Sequence, residues 1–434
     1  MKNYPNISTE IPGPKARLVI EQDQRYASPS YIKEYPLVVE RGEGPMIEDV
    51  DGNRYLDFMT GIAVAATGHA HPRVVAAIKK AAEKFLHICA TDFYYPAFAE
   101  LCERLALLGP GPERKRVFLT NSGTEAIEGA IKLARSNTRR SSLIAFQGAF
   151  HGRSLGAISL NSSKVKYRRH FGPLLPGVHH LPYANPYRPS AWREAAEELF
   201  QQRVAPDEVA AVFVEPILGE GGYVVPSPGF LEYWRSFCDE HGALLIFDEV
   251  QSGIGRTGNM WAAQTLGVTP DVTLTAKGLG SGMPIGAIIA KESIMTWEAG
   301  SHGSTFAGNP VCCAAALATL DLVEQGLAEN ARMLEAVLLD RLRALKEKHD
   351  VIGDVRGAGL MIGIEFVRDR ETKEPFDAII PAIEEAALRR GLLLLGCGRS
   401  TIRLCPPLVI DREDIDIAIG ILDESLSELR VAAG

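Results

Sequence analysis

Four short and almost wholly apolar runs recur through the middle of this 434-residue chain: Val117-Phe118-Leu119-Thr120, Leu143-Ile144-Ala145-Phe146, Val212-Phe213-Val214 and Leu244-Leu245-Ile246. Helix-length stretches separate them, such as Pro228 to His241, and Pro72 opens another through His87 with proline in its first turn. Near-continuous apolar runs of strand length suit strands covered on both faces, as in parallel sheets flanked by helices. The pattern from about Gly61 to Gln325 therefore predicts an α/β, doubly wound domain with a mainly parallel sheet. Ligands are expected beyond the C-terminal ends of its strands.

The flanks differ. Residues 1–35 are rich in Pro, Ser and Tyr and read as an arm laid over the rest. Pro36–Glu40, Met46–Val50 and Tyr55–Asp57, with Asp51-Gly52 between the last two, read as a small antiparallel unit. From about Ala328 a charged amphipathic helix (Asn330–His349) leads into the apolar segment Val355–Phe366, helix Ile380–Arg390, strands Leu392–Leu395 and Ile402–Leu404, and a terminal helix. Three parts are expected: an arm and hairpin over 1–60 belonging with a small domain, a large domain over 61–327, and a C-terminal α+β small domain over 328–434.

Composition removes several function classes. Hydrophobic residues at 46% and charged residues at 23% are ordinary for a globular chain, and a net charge of −8 argues against wholesale nucleic-acid binding. The basic run Lys164, Lys166, Arg168 and Arg169 reads first as a solvated loop face, and second as an entrance for an acidic substrate. Seven cysteines lack CxxC or metal spacing, which fits reduced, buried thiols and a cytoplasmic protein. No export signal or stretch of about 20 apolar residues is apparent, so no membrane association is expected. No metal site is expected either: His69 and His71 stand at a helix start, where they cap and line a loop.

The most apolar strand delivers Asp248, followed by Glu249-Val250-Gln251 and a glycine-rich stretch expected to be open. Further on, Thr275-Ala276-Lys277-Gly278 offers an amine beside glycine, where little bulk blocks access. A lysine amine is a nucleophile only without its proton, and its unperturbed pKa is about 10.4. Burial or covalent capture makes it a catalyst. Pyridoxal phosphate is the cofactor that needs such a pair, a lysine for its aldehyde and an acid for its pyridine nitrogen. Gln251 could donate to the ring's phenolic oxygen, and Val250 could pack on one ring face.

Other segments fit around this pair. Asn121-Ser122-Gly123-Thr124 sits at a strand-to-helix turn, which is an anion site or simply a helix cap. In Phe150-His151-Gly152-Arg153 the aromatic could stack on the other ring face, Arg153 could grip a carboxylate, and His151 reads as structural support in the cofactor wall. Glu215-Pro216 to Gly222 ends a strand and carries two carboxylates, Glu215 and Glu220. A glutamate beside an arginine, opening and closing a pocket, suits it better than a glycosidase pair.

Taken in order and spacing, these segments resemble the class-III, or ω-amino acid, aminotransferases of fold type I. The match runs from about Pro12 to the last helix and includes Gly61-Ile62-Ala63-Val64, Gly68-His69-Ala70-His71-Pro72 and Ser304-Thr305-Phe306-Ala307-Gly308-Asn309-Pro310. The resemblance implies that Lys277 holds the cofactor and then moves the proton, that Asp248 pairs with the pyridine nitrogen, and that Gln251 contacts the phenolic oxygen. It implies that Ser122, Gly123 and Thr124 hold phosphate, with Thr305 from a second subunit, and that Phe150 and Val250 sandwich the ring beside His151 and Glu215. Arg153 matches the arginine for an ω-carboxylate and Arg403 the one for the α-carboxylate of glutamate or 2-oxoglutarate. Glu220 matches the glutamate that pairs with that arginine when an ω-amine enters. A homodimer or dimer of dimers follows from the shared phosphate site.

Within the family the chain is most similar to 4-aminobutyrate, ornithine and acetylornithine aminotransferases. Ile62 argues against ornithine, whereas Ser304-Thr305-Phe306 leans toward the ornithine and acetylornithine branches, so the amino donor stays open. The expected reaction moves an amino group from an ω-amino acid to 2-oxoglutarate by a ping-pong route. A racemase on the same scaffold is the alternative. A cofactor-bound transcription factor would need a separate DNA-binding module, and Lys277 with Asp248 argues against a nicotinamide dehydrogenase.

Overall fold

The computed structural model describes residues 2–433, with side chains through Arg430. Three sheets organise it. Near the N-terminus lie β1 (Val39–Glu43), β2 (Met46–Asp49) and β3 (Arg54–Asp57). The central strands are β4 (Lys115–Thr120), β5 (Ser142–Phe146), β6 (Val178–Leu181), β7 (Val209–Val214), β8 (Leu244–Asp248), β9 (Val272–Thr275) and β10 (Gly286–Lys291). The last part holds β11 (Ile352–Ala358), β12 (Met361–Asp369), β13 (Glu374–Pro375), β14 (Leu392–Leu393), β15 (Leu395–Cys397) and β16 (Thr401–Leu404).

The seven-stranded sheet has the order β4-β10-β9-β8-β7-β5-β6, with β10 antiparallel to both neighbours and the pairings from β9 through β6 parallel. This is the α/β architecture expected, and its apolar strands explain it. Every residue of β5, β7, β8 and β9 is buried, because helices such as Gly123–Thr138 and Phe230–His241 cover the two faces. A second core lies around β11, β12 and β16 and the helices Ala328–Lys348, Ile379–Arg389 and Arg412–Ala433. β14 pairs in parallel with β3, so residues near both ends of the chain share one sheet.

Several boundaries differ from the sequence expectation. The helix opened by Pro72 stops at Ala82, and the expected strand Leu392–Leu395 is split into β14 and β15. The first 35 residues are not only an arm, since Pro14–Tyr26 is a helix. Its first amides at Lys15 and Ala16 donate to the Asp51 carboxylate at 3.0 and 2.9 Å, a cap supplied from a distant turn. The glycine-rich stretch Ser252–Gly258 is buried rather than open. Buried Arg256 reaches the carbonyls of Leu360 and Pro406 and ties this turn to the second core.

One helical run, Pro310–Lys348, is long and apolar enough to cross a membrane by length and composition, contrary to the expectation that no stretch approached this. It is broken by a π-turn over Val323–Leu327, where Gly326 takes φ 151°, and Val311, Cys312, Cys313, Ala315, Ala316 and Leu320 are core residues. Its apolarity is thereby used inside the fold.

Asp271, just before β9, staples the strands that carry the site. It accepts from the Leu245 amide at 2.8 Å and pairs with Arg235 at 2.9 Å and Lys291 at 2.8 Å. Asp271→Ala should leave the Leu245 amide without its acceptor and take from Arg235 and Lys291 their more buried carboxylate partner, leaving them the exposed Asp239 and Glu113. We expect a loss of about 2–3 kcal/mol, read as a lower denaturant midpoint at unchanged slope.

Candidate active site

The C-terminal ends of β4, β5, β7, β8 and β9 open onto one cavity of about 310 Å³. Its wall includes ten residues singled out from the sequence: Ser122, Gly123, Thr124, Phe150, His151, Glu215, Asp248, Val250, Gln251 and Lys277. They come from five loops far apart in the chain and meet because parallel strands end on the same side.

Lys277 stands two residues past the end of β9, with φ +43°, in the left-handed region that a lysine seldom adopts. Its amine makes no hydrogen bond among the described residues and lines the cavity. Burial pushes its pKa down, and the nearby Arg403 charge acts the same way, while Asp248 and Glu215 oppose the shift. The net direction favours the neutral, nucleophilic amine.

Asp248 ends β8 and is 6% exposed. Its Oδ1 accepts from the Val250 amide at 3.0 Å and its Oδ2 faces Nδ1 of buried His151 at 2.7 Å. Burial works against a charge on His151, but the hydrogen bond and charge of Asp248 outweigh it, so its pKa is raised. His151 in turn is fixed through its amide, which donates to Asn161 Oδ1 at 2.6 Å, and Asn161 Nδ2 donates to the Gly152 carbonyl at 2.7 Å. Glu215 spans two loops, accepting from the amides of Phe150 and Gly219, each at 2.8 Å. Its complete burial, with the negative Asp248 adding to it against the opposing His151, pushes its pKa up to about 7.

The wall suits a phosphorylated pyridine aldehyde. The helix Gly123–Thr138 starts at the cavity, and its first-turn amides have no intrahelical acceptors. A side chain at Gly123 would sit 2.9 Å from Val250 Cγ1, so only glycine lets the backbone face the cavity there. His151 Nε2 is buried without a hydrogen-bond partner among the described residues. A free amine, a buried carboxylate and a helix start thus converge on one space.

The remaining sequence candidates lie outside this wall. Arg403 on β16 is 3% exposed, and its Nη1 lies 3.2 Å from Glu220 Oε2. The angle there is unfavourable, and neither Nη1 nor Nε finds a hydrogen-bond partner among the described residues. Arg153 is exposed and stacks over the rings of Phe150 and Tyr167 at 5.3 and 5.4 Å. Ile62 is also exposed, with φ +69°, and Thr305 is exposed and outside the cavity wall. A single chain therefore does not bring Thr305, Ile62 or Arg153 to the cofactor space.

One participant escaped the sequence reading, and a second was read only as part of a loop face or an entrance for an acidic substrate. Buried Tyr223 donates its hydroxyl to Gln251 Oε1 at 2.6 Å. That bond orients the amide and leaves Nε2 as the group free to donate. Lys164 reaches Glu220, as described below. Neither had a local signal, since each contact joins residues tens of positions apart.

Residues 27–426 match the sequence model of the family described as class-III aminotransferase. An alanine/serine racemase from Pyrococcus horikoshii is 39% identical, covering 99% of this chain and 94% of its own. A 4-aminobutyrate aminotransferase from Mycobacterium leprae is 39% identical, covering 97% of both chains. The solved ornithine aminotransferase from Toxoplasma gondii superposes with a TM-score of 0.85 at 32% identity, over 96% of each chain.

Tyr223→Phe should keep the fold and cavity but release the Gln251 amide to rotate. We expect pyridoxal phosphate to dissociate about tenfold more readily, measured by equilibrium dialysis, together with an altered absorption spectrum. Unchanged affinity and spectrum would show that Gln251 is oriented without it.

Proposed function

Because the chain belongs to the class-III aminotransferase family, whose cofactor is pyridoxal phosphate, we propose that it transfers an amino group from an ω-amino acid to 2-oxoglutarate in two alternating half-reactions. The donor would be of the 4-aminobutyrate, ornithine or acetylornithine type. The observation that carries this reading is the buried Arg403, loosely paired with Glu220 beside the Lys277 cavity. A buried guanidinium with unengaged donors is a ready receptor for a carboxylate, and a movable glutamate can neutralise it when none is present.

When bound, pyridoxal phosphate supplies an electron sink that acidifies the carbon next to the substrate nitrogen. The protein does the rest. Asp248, held by His151 and the Val250 amide, would present its carboxylate to the pyridine nitrogen. Gln251, oriented by Tyr223, would donate to the phenolic oxygen. Phe150 and Val250 would confine the ring, and the helix start at Ser122-Gly123-Thr124 would receive the phosphate. Lys277 Nζ, its pKa pushed down by burial, would hold the aldehyde and, when free, would take up and give back the proton at the substrate carbon.

Arg403 would hold the α-carboxylate of glutamate or 2-oxoglutarate, and Arg153 the carboxylate of an ω-amino acid. Arg153 would need to swing off the Phe150 and Tyr167 rings to do so. The exposed Thr305 supports a homodimer or dimer of dimers, in which it reaches the phosphate of a second subunit. Ile62, equally exposed, would border the substrate.

A second reading has a specific basis. The racemase from Pyrococcus horikoshii covers nearly this whole chain, and a racemase would use the same lysine on both sides of an α-carbon. Mixing the pyridoxal-phosphate-loaded protein with 4-aminobutyrate, ornithine, acetylornithine or one enantiomer of leucine, without keto acid, separates the two. Conversion of the cofactor to its amine form by one ω-amine supports transamination. Loss of chirality with the cofactor unchanged would support the racemase instead. Arg403→Ala should reduce kcat/KM for glutamate and 2-oxoglutarate by about 100-fold, and that for the ω-amine far less. Equal losses for both would remove the role given to Arg403.

A further inference from the structure

The basic run Lys164–Arg169 was left without a task by the reaction above, yet one of its residues reaches the substrate region. Lys164 Nζ lies 2.6 Å from Glu220 Oε1, and the Tyr167 hydroxyl donates to the same oxygen at 3.3 Å. Glu220 is therefore shared. One oxygen is held by a short bond from Lys164 and a longer one from Tyr167, and the other faces Arg403 Nη1 at 3.2 Å without alignment.

The asymmetry has a direction. Glu220 is 9% exposed and Arg403 3%. A substrate carboxylate that pairs with Arg403 Nη1 competes with Glu220 for it. A carboxylate displaced from its sole cation at such depth would be left uncompensated, which is strongly unfavourable. Here it is not left alone, because the bonds to Lys164 and Tyr167 do not involve Arg403.

We propose that Lys164 is a positioning residue that retains Glu220 when Arg403 releases it, and so sets how readily the enzyme accepts a substrate α-carboxylate. This rests on the reading that Arg403 takes that carboxylate. Charge balance agrees with the geometry. Burial opposes the charge on Glu220, but Arg403 and then Lys164 outweigh it and hold its pKa low. Burial likewise opposes the charge on Lys164, and Glu220 restores it and raises its pKa. The consequence is specificity: with Lys164 present the open state is cheap, which favours dicarboxylates in their half-reaction, while the closed pair still serves the ω-amine.

The test uses the pyridoxal-phosphate-loaded enzyme and glutarate, a dicarboxylate with no amine to react. Its dissociation constant is measured calorimetrically for wild type, K164M, K164R, E220Q, K164M/E220Q and R403A. Lys164 is about one-third exposed, so its loss should weaken glutarate about tenfold rather than more. K164R should recover most of this. Because Lys164 acts through Glu220, adding K164M to E220Q should change binding by less than about twofold. Steady-state KM for 2-oxoglutarate should rise in K164M relative to that for the ω-amine, with kcat for the pair little altered.

Unchanged glutarate binding in K164M, with R403A strongly weakened, would overturn the proposal and leave the Arg403 reading standing. An equal tenfold loss in the E220Q background would overturn it in favour of direct contact between Lys164 and the ligand. Unchanged binding in R403A would overturn the Arg403 reading and the proposal with it.

Discussion

Everything in this molecule that bears on chemistry depends on keeping a buried carboxylate and a buried amine, its pKa pushed down by that burial, in one cavity. A carboxylate at the end of an apolar strand, as Asp248 is, must have its burial compensated by hydrogen bonds. His151 and the Val250 amide provide that compensation. Lys277 is treated in the opposite way, with no hydrogen-bond acceptor among the described residues and a backbone bent into the left-handed region. The same burial that makes those hydrogen bonds necessary at Asp248 disfavours the charge on Lys277. The seven-stranded sheet matters because it delivers both groups, on adjacent strands β8 and β9, to the same edge.

Around that centre the structure spends many buried polar contacts on aiming rather than on reacting. Glu215 fixes the Phe150 and Gly219 amides, Asn161 clamps the turn at His151 and Gly152, and Tyr223 turns the Gln251 amide. Each leaves one defined group pointing at the cavity. Farther out, Glu220 is the exception. It is shared between Lys164 and Arg403, and division of one carboxylate between two cations is how a site can hold two arrangements of similar energy. Membership of the class-III aminotransferases accounts for the cofactor and the reaction type. That membership does not by itself select the substrate, since relatives of equal identity are named an alanine/serine racemase and a 4-aminobutyrate aminotransferase.

The features readable in the sequence are those whose cause is local. Leu244–Asp248 announces a buried strand with an acid at its end because apolar side chains and the terminal carboxylate are contiguous. Asn121–Thr124 announces a strand-to-helix turn because Ser122 caps the helix that follows, accepting from the Glu125 amide. Distant causes are silent. The helix Pro14–Tyr26 is capped by Asp51, the turn at Ser252–Gly258 is tied through Arg256 to the carbonyls of Leu360 and Pro406, and Tyr223 and Lys164 find partners 28 and 56 positions away. The exposure of Arg153, Ile62 and Thr305 was equally unreadable, since motif spacing carries no account of which side chains a single chain leaves outside its cavity.

The most direct test of the central arrangement is chemical capture of the amine. The protein loaded with pyridoxal phosphate is reduced with borohydride, digested, and its peptides weighed by mass spectrometry. Lys277, as the buried amine facing the cavity, should carry the pyridoxyl phosphate mass, and no other lysine should. Label on a different lysine, or none at all in a protein that has bound the cofactor, would contradict the pairing of Lys277 with Asp248 on which the account is built.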